Sequence, residues 1–134
     1  MGKHTKTTSI WKGGRKFLSQ QGNSSIEVDS SGFGFKALLL AGLAGCTGTD
    51  VVLILEKMKV PFADLQIDVE TEQTEEDPKV FKDILLTYRI KTSEENRAKV
   101  KRAIELSQDK YCGVSAMLRK NSKIDYNLVI EPEP

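Results

Sequence analysis

Between Lys36 and Met58 the chain carries one stretch that limits every fold open to the rest of it. From Ala37 to Gly48 it holds no charge, and its apolar residues do not gather on a single stripe. A helix that is apolar on every side must be buried on every side. At ~1.5 Å per residue it would cross most of a small domain. Pro61 follows just beyond, where a helix usually stops. Gly, Thr and Asp50 break the run too often for a membrane span. The stretch also contains Cys46, one of the chain's 2 cysteines. It reads as a central core helix that presents a thiol.

Its small residues need a reason. Gly42, Gly45 and Gly48 each cost about 1 kcal/mol in a helix interior relative to alanine. With Ala41 and Ala44 they form a smooth face at spacings of three and four. Such a face lets another backbone approach closely. The approaching element is either a second helix of this chain or the same helix of a partner subunit. The alternative is a floor for a pocket above Cys46. Close helix packing is the favoured reading, and the two are compatible.

A chain of 134 residues is expected to form one domain, 1–134, with enough core to fold alone. Its 20 basic and 19 acidic residues nearly cancel, and the lysines are scattered, which argues against nucleic acid as a partner. No apolar run follows the charges of Met1-Gly-Lys-His-Thr-Lys6, so no secretory signal is expected, and Lys6 breaks the myristoylation pattern. The expectation is a soluble cytoplasmic protein with no membrane partner. In that compartment cysteines are more often free, catalytic or redox-sensing than structurally bridged.

Along the chain, Thr5 to Trp11 reads as a strand, Gly13-Gly14 as a turn and Arg15 to Ser19 as the returning strand. Gln21-Gly22-Asn23 turns again, and Ser25 to Asp29 alternates with Ile26 and Val28 inward. After Pro61, Leu65, Ile67 and Val69 alternate with polar residues as a strand with one wet face. Thr71 to Pro78 is acidic and reads as a solvated turn rather than a metal site. Val80 to Ile90 follows as a long strand, with Val80, Ile84, Leu86, Tyr88 and Ile90 mostly on one face.

Thr92-Ser-Glu-Glu95 has the form of a capping box. Behind it Val100, Ala103, Ile104 and Ser107 recur at helical spacing, so an amphipathic helix is expected from Glu94 to about Ser107, its basic residues on the wet face. Asp109-Lys110-Tyr111 breaks the pattern, and a short helix runs from Cys112 to Lys120. Ile124, Tyr126, Leu128 and Ile130 alternate as a final strand, and Glu131 to Pro134 reads as a frayed tail. The order is βββ-α-ββ-αα-β.

Only the thiols offer covalent chemistry. There is no Cys-x-x-Cys motif. A zinc site wants about four ligands, and two cysteines with His4 do not supply them. A Cys–His nucleophilic pair is equally poorly served, because His4 is the chain's only histidine. Cys112, at a helix start, would have its thiolate favoured by the helix dipole. Cys46, deep in an apolar helix, would have its thiolate disfavoured unless a cation reaches it. Spacing does not say which of the two attacks. The residues leave two readings open, a redox pair or two small buried hydrophobes.

Two runs resemble the OsmC/Ohr family, the osmotically inducible and organic hydroperoxide resistance proteins. Leu38 to Gly48, followed by Asp50-Val51, looks like its central-helix signature, and Tyr111 to Met117 looks like its second cysteine box. The resemblance covers essentially the whole chain. It implies an α+β fold with a long buried central helix and antiparallel sheets, assembled as an intertwined homodimer with active sites at the subunit interface. It also implies a thiol-dependent peroxide reductase acting on organic hydroperoxides, with no cofactor and no metal. In that scheme Cys46 attacks the peroxide, Cys112 resolves the sulfenic acid as a disulfide, and an external dithiol, for which the resemblance suggests a lipoyl type, restores the thiols. Arg15, after Gly13-Gly14, matches the arginine that activates the first thiol.

The family's glutamate before the leucine run is absent, and Ala37 stands there. Glu27 or Asp29 is then the substitute that would hold Arg15, and Lys36 a possible second cation. The alternative to an enzyme is a non-enzymatic or redox-sensing dimer that binds a small apolar ligand.

Overall fold

A computed structural model describes residues 2–132. The chain divides into two compact units between Leu39 and Leu40. The N-terminal unit is a meander of β1 (Thr8–Trp11), β2 (Lys16–Gln21) and β3 (Ser24–Asp29), each pair antiparallel. Gly13 and Gly14 both take positive φ, +101° and +57°, which a side chain would strain, and this closes the first turn. Trp11 Nε1 donates to the Gly14 carbonyl across that turn at 3.0 Å. Val28 is buried, but Ile26 on the same face is 50% exposed, so only half of the expected inward pair is covered within the chain.

Helix α1 (Phe35–Lys57) begins in the first unit and runs into the second. By length and composition it would also cross a bilayer, but here one of its stripes enters a protein core. Proline does not end it. Lys59 takes φ +58°, Val60 N–H donates to the Leu55 carbonyl at 3.0 Å, and Lys59 N–H donates to Glu56 at 3.1 Å. These two bonds form a Schellman motif, sealed by Val60 and Leu55, both in the core.

The second unit continues with β4 (Ala63–Gln73), β5 (Phe81–Lys91), α2 (Arg97–Leu106), α3 (Gly113–Arg119) and β6 (Ile124–Glu131). A single 3₁₀ turn, Glu94–Asn96, leads into α2, and a π-type turn, Ser107–Tyr111, joins α2 to α3. The order is the expected βββ-α-ββ-αα-β in an α+β fold. β4 runs on through Thr71, read from sequence as loop, because Thr71 and Gln73 still pair with Ile84 and Phe81. Ile84, Leu86, Tyr88 and Ile90 of β5 are all buried, as their alternation predicts, while Val80 is exposed. Leu43, Val51 and Leu55 of α1 and Val100, Ala103 and Ile104 of α2 complete the core. Each fully buried leucine contributes about 1.5–3 kcal/mol.

Three expectations are corrected. The sheets are not both antiparallel, because β6 lies parallel to β5, with Tyr88 opposite Leu128. Parallel neighbours need a long crossover, and the helical segment between them supplies it. The capping box does not form either. Thr92 is buried, its hydroxyl donates to the Pro61 carbonyl at 2.7 Å and accepts from Asn96 Nδ2 at 3.1 Å, while the N-cap of the 3₁₀ turn is Ser93, which makes no side-chain cap bond. Nor is α1 buried on every side within one chain. Its buried residues are Leu43, Thr47, Gly48, Val51 and Leu55, while Leu53 is 54% exposed. Gly48 does serve a close approach, to β4 rather than to a helix, since a Cβ there would sit 3.1 Å from Ile67 Cδ1. Of the expected tail, Glu131 ends β6, and residues 133–134 lie outside the described residues.

Candidate thiol site

Cys46 sits half-buried midway along α1, and Cys112 is the N-cap of α3, only 3% exposed. Folding brings these distant positions together, and both thiols are free. The Cys112 backbone N–H closes the π-type turn on the Ser107 carbonyl at 2.8 Å, and its Sγ accepts from Ser115 N–H at 3.3 Å. The dipole argument from the sequence does not decide this thiol. Burial first, and then a hydrogen bond with the Cys46 thiol, push Cys112 up to about 11. The Ser115 N–H works the other way and loses, while the charges of Cys46 and Asp50 add to the rise. One N–H at the end of a short helix does not offset removal from water.

A thiol held above its ordinary value stabilises the fold below about pH 9 and withdraws that contribution as the pH rises towards 11. The reduced protein is therefore expected to lose about 2 kcal/mol across this interval through Cys112. Urea midpoints measured from pH 8 upward test it, and Cys112→Ala is expected to flatten that part of the curve. Equal slopes in both proteins would show that Cys112 is not the group responsible.

Behind the sulfurs lies a polar cluster that the sequence reading missed. Thr47 Oγ1, fully buried, is within 2.8 Å of both Tyr88 Oη and Ser107 Oγ. Ser107 Oγ donates to Asp50 Oδ2 at 2.8 Å. Gln108 Nε2 donates to Thr47 Oγ1 at 3.2 Å and to Tyr88 Oη at 3.0 Å. Gln108 Oε1 accepts from Ser115 Oγ at 2.6 Å and from Arg119, which reaches in from the surface, at 3.1 Å. Among the described residues no buried side-chain polar atom lacks a partner. Burial is the chief cause of Tyr88's raised pKa, which Thr47 and Gln108 partly offset. The available signal was polarity in the wrong place: Thr47 within an uncharged helix, Tyr88 on a buried strand face, and Ser107 on the apolar stripe of α2.

Arg15 belongs to the N-terminal unit, in the turn before β2, where its carbonyl accepts from Ser30 N–H at 3.2 Å. The thiol site described here is made of second-unit residues alone. Glu27, one of the two suggested partners for Arg15, instead pairs with Lys16 at 3.0 Å. Asp29 is held by Ser31, whose N–H and Oγ lie at 2.9 and 2.6 Å. These bonds lower its pKa first, and the nearby charges of Lys16 and Arg15 lower it further. Among the described residues no cluster of three or more His, Cys, Asp or Glu side chains forms that would hold a metal ion.

A half-buried thiol on a long core helix and a buried one at the start of a short second helix, over an α+β frame, define the class. The chain belongs to the OsmC-like protein family, which matches residues 28–127. It is 31% identical over 122 residues to the protein YhfA of Escherichia coli strain K12, covering 87% of this chain and 91% of that protein. Its fold matches the crystal structure of a hypothetical protein from Aquifex aeolicus VF5 with a TM-score of 0.90 at 24% identity, over 99% of this chain and 100% of that one. It also matches an organic hydroperoxide resistance protein from Elizabethkingia anophelis with a TM-score of 0.71 at 17% identity, over 98% and 99% of the two chains.

Proposed function

We propose that the protein reduces organic hydroperoxides, with Cys46 as the attacking thiol and Cys112 as the resolving one. The observation that carries this reading is the meeting of the two free thiols, with Cys112 kept protonated by burial. In the first step the Cys46 thiolate attacks the O–O bond, which breaks to give Cys46–SOH and the alcohol, the alkoxide taking up a proton. In the second, Cys112 sulfur attacks the sulfenic sulfur, its own proton leaves with the hydroxyl as water, and a disulfide forms. An external dithiol, of lipoyl type, then takes up the disulfide by exchange and is itself oxidised. No metal or prosthetic group takes part.

Arg15 is the cation proposed to favour the Cys46 thiolate. The working unit is a homodimer, in which the exposed apolar side of α1 is covered by a second copy. Neither nucleic acid nor a membrane takes part, and free cysteines suit the cytoplasm. Membership of the OsmC-like family supports this assignment.

A groove of about 460 Å³ between α1 and the π-type turn favours a second reading. Leu53, Ile54, Met58, Leu106 and Tyr111 line it, with Asp50 and Lys57 as its polar members. On that reading the dimer senses redox state, or holds a small apolar ligand there without turnover.

One measurement separates thiol oxidation by peroxide from ligand binding. The reduced protein is exposed to one equivalent of an organic hydroperoxide, and its intact mass and free thiols are followed. Loss of two hydrogens per chain is expected, with both thiols disappearing together. An unchanged mass would move the binding reading ahead.

A further inference from the structure

We propose that Thr47 and Gln108 are positioning residues for the thiol pair, a buried strut that holds the Cys46 turn of α1 in register with the Cys112 turn. The inference rests on the redox reading of the two thiols. Its observations are separate ones, the hydrogen bonds behind the sulfurs.

The donor count fixes the direction of nearly every bond. Ser107 has one hydroxyl hydrogen and gives it to Asp50. The Thr47–Ser107 bond must then be donated by Thr47. Having spent its own hydrogen, Thr47 must accept from Tyr88 as well as from Gln108, which fills both lone pairs. Gln108 uses both amide hydrogens on Thr47 and Tyr88, and both acceptor sites on Ser115 and Arg119. The amide cannot flip without opposing Arg119 to an NH₂ group. The result is one polarised chain, from the Arg119 guanidinium through Gln108, Tyr88, Thr47 and Ser107 to the Asp50 carboxylate.

Each end of the strut abuts a sulfur-bearing residue. Thr47 follows Cys46 directly on α1. Gln108 and Ser107 open the π-type turn, and the Ser107 carbonyl holds the Cys112 N–H at 2.8 Å. Apolar packing between a helix and a turn is non-directional and tolerates sliding. A fully paired polar network does not, because any slip strands several buried groups at once. A disulfide demands that restraint, since its Cα atoms must lie within about 7 Å and its dihedral near 90°. A π-type turn at this place also fits the frequent use of such turns at functional sites.

The test reads the thiol–disulfide equilibrium of the full chain against glutathione, with no peroxide present. Glutathione disulfide takes two electrons from the pair and becomes two glutathione thiols, while Cys46 and Cys112 join. Thr47→Val and Gln108→Met are each expected to lower the equilibrium constant for the protein disulfide about tenfold, the scale of a lost buried hydrogen bond. Thr47→Ser keeps the hydroxyl and is expected to stay within about threefold of the parent. Asn121→Ala serves as the stability control, since it removes a part-buried hydrogen bond to the Phe81 carbonyl at 2.8 Å elsewhere in the same unit. That variant is expected to leave the equilibrium unmoved.

Should Thr47→Val fail to fold, Gln108→Met reads the same quantity. An unchanged constant in Thr47→Val or Gln108→Met overturns the strut, and so does an equal fall in Asn121→Ala. A parent chain whose thiols never join overturns the redox reading, and this inference with it. A parent that forms the disulfide with glutathione yet ignores peroxide sinks only the peroxidase.

Discussion

Cys46→Ser is expected to abolish hydroperoxide consumption, by at least about 10³-fold, while Cys112→Ser stops after one equivalent per chain. The two losses differ because the two sulfurs meet different demands. Attack on the O–O bond needs a nucleophile that is ionised near neutral pH, and a serine hydroxyl is not. Nothing else in the described site replaces it, because Thr47, Ser107 and Ser115 are hydroxyls already committed to the buried chain. Cys112 acts later. Held near 11, it stays a thiol while Cys46 reacts, and it is needed only once a sulfenic acid stands beside it.

Without Cys112 that acid has no resolving partner in the chain. It is expected to accumulate and to be trapped as a dimedone adduct on Cys46, visible by intact mass. Steady turnover in Cys112→Ser would show that an external thiol resolves directly, and Cys112 would lose its role. Full activity in Cys46→Ser would end the mechanism. Arg15→Ala belongs to the same series. If Arg15 favours the Cys46 thiolate, the variant should slow the first oxidation about tenfold or more without changing its stoichiometry. An unchanged rate would remove the arginine from the chemistry.

What the sequence disclosed, and what it hid, follow from the range of the forces involved. Alternation along β5 and helical spacing in α2 report a local choice between a wet and a dry face, and both were legible. The parallel placement of β6 depends on where a crossover lands, which the strand's own alternation does not encode. Thr92 looked like a cap because its neighbours suit one, yet a carbonyl distant in sequence, that of Pro61, claimed its hydroxyl. The Cys112 expectation failed in a similar way: the helix start was correctly read, but its effect is smaller than that of burial, which only the fold reveals. The polar strut was the largest omission. Thr47, Tyr88 and the adjacent pair Ser107 and Gln108 come from three separate places in the chain and acquire meaning only as neighbours.

Gly45→Leu is expected to break the dimer while leaving the chain folded, and Gly48→Leu to damage the fold itself. The two glycines lie almost one helical turn apart on the same helix, so the contrast is a direct test of what covers it. At Gly48 an added Cβ would already press on Ile67 at 3.1 Å, and a leucine there would drive α1 off β4. At Gly45 an added Cβ meets nothing within 4 Å among the described residues. Its cost of about 1 kcal/mol as a helical glycine is therefore not explained by a close approach among those residues. Together with Ala44, Val52, Leu53, Leu65 and Ile67 it borders an open apolar depression of about 510 Å³. If a second copy fills that depression, leucine at 45 obstructs it, and the dimer dissociation constant should rise at least about 100-fold by sedimentation. The freed chain should keep its helical circular dichroism and gain about 1 kcal/mol of helix propensity. A Gly45→Leu protein that dimerises as tightly as its parent would place the interface elsewhere on the molecule.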